Sequence, residues 1–110
     1  MPPRGDPMPE SESSVRVVDN SDRSRYEAYA GDELAGFVTY RIEPGVVVLV
    51  HTEVDGSFEG HGVGTRLASA ALEDARSRGL KVDPVCPFVA AYLERHPEYA
   101  DLVVGPRPGR

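Results

Sequence analysis

Hydrophobic and polar positions along the chain change period once, near residue 60. Before that point the spacing is two. Val15-Arg-Val-Val18 and Tyr26-Glu-Ala-Tyr-Ala30 open the body with alternation and aromatic content suited to a first strand. Gly31-Asp-Glu33 signals a turn, and residues 34–42 predict a second strand whose packing surface is Phe37, Val38, Tyr40 and Ile42. Pro44-Gly45 is a strong turn dipeptide. Residues 46–54 then predict a third strand, with a first half apolar enough to be covered on both faces. From Gly62 onward Leu67, Ala68, Ala71, Leu72 and Ala75 form a stripe on one face of a helix, with Arg76 and Arg78 near its end and Gly79 as the residue that closes it. Residues 80–85 form a short strand, and Pro87 opens a second helix that runs to about Arg95 before Pro97 forbids continuation. The predicted order is β-β-β-α-β-α. That is an α+β domain, an antiparallel meander followed by a helix, a parallel strand and a second helix.

Both ends fall outside this pattern. Residues 1–14 hold four prolines and almost no apolar side chains, so they predict a disordered tail. Residues 105–110 predict a flexible C-terminal tail, leaving 15–104 as one domain. A chain of 110 residues has no room for two cores. The longest apolar run has five residues against roughly 20 for a membrane helix, and the N-terminus lacks a signal-peptide layout. The single cysteine, Cys86, excludes an intrachain disulfide and a cysteine-rich zinc site, and the three histidines lack a metal-ligand spacing. The expectation is a cytoplasmic protein without a metal, a monomer or weak homodimer. The net charge of −6 resides in the body, because the tails cancel, so neither nucleic acid nor an anionic membrane is an expected partner.

The most informative segment joins the third strand to the first helix: Phe58-Glu-Gly-His-Gly-Val-Gly-Thr-Arg66. Gly60, Gly62 and Gly64 let the backbone turn sharply and let a ligand approach its N–H groups. Those groups are the unsatisfied donors of a helix's first turn, reinforced by the helix dipole, and together they suit a phosphate or pyrophosphate. His61 and Arg66 can add charge or hydrogen bonds. A P-loop would need Lys before Thr65, where Gly64 stands. A dinucleotide fingerprint starting at Gly60 would need Gly or Ala at Thr65 and a larger parallel sheet. An acyl-CoA pyrophosphate turn meets neither objection. The plainer alternative is that the glycines only permit close helix–sheet packing.

Glu59-Gly-His-Gly-Val-Gly64 resembles the (Arg/Gln)-x-x-Gly-x-(Gly/Ala) motif of the GCN5-related N-acetyltransferases. With His51-Thr-Glu-Val54, Ala71-Leu72, Cys86-Pro-Phe-Val89 and His96-Pro-Glu-Tyr99, the chain is similar to the small, single-domain YjdJ-type branch of that superfamily over about residues 26–103. The resemblance implies a minimal acetyltransferase fold with acetyl-CoA in a cleft where the third and fourth strands splay apart. It implies pyrophosphate on the amides of Gly60, His61, Gly62, Val63, Gly64 and Thr65, and the pantetheine arm along third-strand backbone near Thr52 and Val54. It implies transfer of the acetyl group to an amine acceptor, a small molecule or an exposed peptide group; the alternative is a non-catalytic acyl-CoA-binding or protein-interaction module. One position departs from the motif: Glu59 stands where the family has Arg or Gln, and a carboxylate beside a pyrophosphate is unfavourable unless it points away.

Beyond the glycines, Cys86 ends the fourth strand just before Pro87, at the start of the second helix, a location that stabilises a thiolate. It can accept the acetyl group, act as an acid toward the departing thiolate, or line the pocket as a small buried hydrophobe. The resemblance also places a candidate catalytic cysteine there. His51 and Glu53 are two apart and share a strand face, so either can take a proton from an incoming amine. Glu53 is nearer the expected cleft, and a solvated polar pair is the plainer reading of His51. Tyr92 can donate a proton to the CoA sulfur or simply pack with Val89 and Leu93. His96, before Pro97, reads as a helix-end cap.

Overall fold

A computed structural model describes residues 15–104; the two tails for which disorder and flexibility are expected lie outside the described residues. Strands β1 (Val15–Asn20), β2 (Arg25–Ala30), β3 (Glu33–Glu43) and β4 (Val46–Val54) precede helix α1 (Val63–Ser77), and strand β5 (Lys81–Pro84) precedes helix α2 (Pro87–Arg95). The five strands form one sheet in the order β1-β2-β3-β4-β5, antiparallel except for the parallel pair β4–β5. This is the α+β architecture the sequence predicts, with one difference. Residues 15–18 and 26–30 belong to two paired strands, so the meander has four strands. A short 3-10 turn at Ser21–Arg23 and Ser24 in the left-handed region (φ 54°) reverse the chain between them. The run Asp19-Asn-Ser-Asp22 is the turn signal for that reversal.

The helices and the inner sheet face share one core. Leu67, Ala68, Ala71, Leu72 and Ala75, the stripe read from the sequence, are all buried against Val38, Val47, Leu49 and Val82. Helix α1 closes with Gly79 at φ 71°, where Leu80 N–H donates to Ala75 C=O (2.9 Å) and Gly79 N–H to Arg76 C=O (3.1 Å). These two bonds satisfy carbonyls the helix end would otherwise leave open. Val47, Val48 and Leu49 are consecutive and all buried, so the first half of β4 is covered on both faces as its composition requires.

Two features of β4 position everything that follows. Its pairing with β5 stops at Leu49↔Pro84, while its pairing with β3 continues to Gly36↔Val54. Between Tyr40↔Leu49 and Thr39↔His51 the register shifts by one, so Val50 is an extra, bulged residue. Because side chains alternate, that extra residue reverses which positions face inward. Val47 and Leu49 face the core before it; Thr52 and Val54 do so after it, leaving His51 and Glu53 outside.

Candidate active site

The glycine turn is a chain of tight reversals. Asp55 accepts from Ser57 N–H (2.9 Å) and Ser57 Oγ (2.6 Å), bonds that hold its carboxyl below the usual carboxylate range. Phe58 N–H donates to Asp55 C=O (2.8 Å) and His61 N–H to Phe58 C=O (3.2 Å). Gly60 (φ 85°) and Gly62 (φ 76°) then take left-handed conformations, and a Cβ at either would meet open space. Gly62 caps α1 without a side chain, and the first bond of the helix runs from Arg66 N–H to Gly62 C=O at 3.0 Å. The N–H groups of Val63, Gly64 and Thr65 precede it and carry the donors a helix start leaves unpaired. The turn borders a depression of about 310 Å³ lined by Val54, Phe58, Glu59, the three glycines, Val63, Thr65 and Phe88.

The three glycines divide in role. Gly60 and Gly62 are the open ones. Gly64 is buried, and a Cβ on it would stand 2.8 Å from Cζ of Phe88, so its missing side chain makes room for an aromatic ring. Phe88 is a residue the sequence reading did not single out; the signal was a large apolar side chain at the exposed first turn of α2. The side chains expected to add charge lie differently as well. Arg66 turns a guanidinium N–H to Val15 C=O (3.3 Å), and the His61 ring sits edge-on to Phe58 at 6.3 Å. Glu59 lines the depression and has no ionic partner among the described residues.

At the fork of β4 and β5 stands Cys86. It is the N-cap of α2 with extended backbone, followed by Pro87 at the first helical position. Its N–H donates to Leu49 C=O (2.8 Å), the last tie between the chain leaving β5 and β4. Its Sγ lies 3.1 Å from Thr52 Oγ1, and the residue is only 2% exposed. Two residues far apart in sequence thus meet where the strands part.

The other candidates are not gathered there. His51 and Glu53 share the outer face as their spacing requires, with Nε2 and Oε2 at 3.7 Å and both side chains more than half exposed. Glu53 also lines a separate hollow of about 330 Å³ with Leu34, Phe37 and Asp55. Tyr92 is buried, its ring stacked on His96 at 4.0 Å. Burial raises its pKa above the ordinary phenol value, helped by the charge of Glu98 and opposed by a hydrogen bond with Ser69. His96 occupies the C-cap of α2, with Nδ1 3.4 Å from Glu98.

A four-stranded meander, a glycine turn into a helix, and a parallel fifth strand whose pairing with the fourth stops at Leu49 form the α+β fold of the GCN5-related N-acetyltransferases. The chain belongs to the GCN5-related N-acetyltransferase family, whose pattern it matches over residues 25–102. It is 35% identical over 52 residues to Protein NATD1 of Gallus gallus, a match covering 47% of each chain, so it spans about half the length of the curated relatives it matches. Protein NATD1 of Xenopus tropicalis is 28% identical over 87 residues, covering 77% of this chain and 80% of that one. Among solved structures, a GCN5-like protein from Staphylococcus aureus superposes with a TM-score of 0.65 at 25% identity, over 89% of this chain and 96% of its own. Among the described residues no helix is long and apolar enough to cross a membrane.

Proposed function

We propose that this chain is an acetyltransferase that binds acetyl-CoA along the fork of β4 and β5 and passes the acetyl group to an amine. The observation that carries the reading is the junction itself: past the last β4–β5 pair, Thr52 meets Cys86 and Val54 borders the open glycine turn. The residues fit the coenzyme. Gly60 and Gly62 leave open space beside the turn, and the amides of residues 62–65 supply donors for a diphosphate. Thr52 and Val54 lie on the stretch of β4 that has lost its β5 neighbour, where backbone groups can pair with the amides of a pantetheine arm. The backbone N–H groups of His61 and Arg66 are already bonded to Phe58 C=O and Gly62 C=O, so only their side chains are left to reach the coenzyme.

The bound group supplies an activated thioester; the chain supplies position and proton transfer. Glu53 takes the proton that the amine gives up as the C–N bond forms, directly or through a water. Cys86 stands at the fork and gives its thiol proton to the sulfur released as the C–S bond breaks, with Thr52 Oγ1 holding Sγ in place. Tyr92 is the second candidate acid, and its raised pKa keeps it protonated, while its burial supports a packing role. The open outer face leaves room for a small amine or an exposed peptide group, and the chemistry belongs to the cytoplasm, where acetyl-CoA and reduced thiols coexist.

One observation favours a second reading. Glu59 puts a carboxylate on the rim of the same depression, which weakens the hold on a diphosphate and so opposes efficient turnover. Calorimetric titration with acetyl-CoA followed by a thiol-release assay with amine acceptors separates the two. Binding with release supports the enzyme, binding without release supports the module, and absence of binding overturns both.

A further inference from the structure

We propose that Phe88 is a positioning residue whose ring forms the apolar wall for the coenzyme's arm between the glycine turn and Cys86, an inference that rests on the function proposed above. Phe88 is the second residue of α2, two positions after Cys86, and 39% of its surface is exposed. Phe88 also lines the depression beside the glycine turn. Its tip does not pack into the core. It reaches across to α1 and rests on Gly64, where a Cβ would lie 2.8, 3.1 and 3.3 Å from Cζ, Cε2 and Cε1.

That contact ties the starts of both helices together through a residue with no side chain. The lining of the 310 Å³ depression combines two kinds of surface. The helix-start residues 62–65, with Glu59 beside them, make a polar rim; the side chains of Val54, Phe58, Val63 and Phe88 make an apolar one. A ligand that is anionic throughout would use only the first rim. A ligand with an anionic diphosphate and a weakly polar arm uses both, and the Phe88 ring is the part that meets the arm.

The test compares two probes on the full chain by calorimetry: CoA, and 3′-phosphoadenosine 5′-diphosphate, which is CoA without its arm. Phe88→Ala is expected to weaken CoA about tenfold, the loss of roughly half a ring's burial, and to leave the armless nucleotide unchanged. The chain contains no tryptophan, so Phe88→Trp installs a single indole whose emission should shift with CoA and not with the armless nucleotide. Equal weakening of both probes would overturn the proposal, since the ring would then act only on the helix start. So would an unchanged CoA affinity in Phe88→Ala while the unaltered chain binds CoA. Failure of the unaltered chain to bind CoA would overturn the proposed function and this inference together.

Discussion

The two halves of β4 obey different rules. Val46–Leu49 is a central strand with β3 on one side and β5 on the other, and its three consecutive buried residues make it part of the core. Residues 50–54 keep only β3, and they alternate between half-buried and exposed side chains. The difference comes from two local events, a bulge at Val50 and the departure of β5 after Pro84. One strand therefore serves as both scaffold and candidate site. The scaffold half owes its rigidity to complete pairing, and the site half is available because its pairing is incomplete.

The largest stability effect is expected for Leu49→Ala in the scaffold half, about 3–5 kcal/mol in denaturant unfolding because Leu49 is fully buried. Deleting Val50 tests the division itself. His51 would then follow Leu49 directly, so plain alternation keeps Thr52 and Val54 inward and His51 and Glu53 outward with no bulge. The expected result is a retained cooperative unfolding transition by circular dichroism; its loss would show that the bulge is needed for more than the choice of inward face.

The site half should respond in activity instead. Glu53→Gln, more than half exposed, should change stability by less than about 0.5 kcal/mol yet lower turnover with amines by roughly a hundredfold. Unchanged turnover would remove Glu53 from the mechanism. Gly62→Ala should cost about 1–2 kcal/mol, since a side chain at φ 76° is strained even in open space, and should weaken CoA in calorimetry. Thr52→Val should cost about 1 kcal/mol for one lost hydrogen bond. Its informative readout is the alkylation rate of Cys86, which should change if Thr52 holds the thiol.

Much of this was legible in the residue order. The helix stripe from Leu67 to Ala75, the bounds of α2, the closing Gly79 and the double-sided burial of early β4 all follow from spacing and local backbone preference, which act over a few residues. The separation of β1 from β2 was missed, although Asp19-Asn-Ser-Asp22 is a polar run that favours reversal.

Other features had no local signal. Alternation alone would carry the inward face from Leu49 to His51 and Glu53; the extra residue that reverses it is visible only once β3 supplies a register to be broken. Thr52 and Cys86 are 34 positions apart, and their contact exists because α1 returns the chain to β4. Gly64 and Phe88 meet for the same reason, and the ring that gives Gly64 its use belongs to another helix. Short-range preference determined which elements form and where they stop. Long-range pairing and packing decided which side chains share a space, because no residue encodes its distant neighbour by itself.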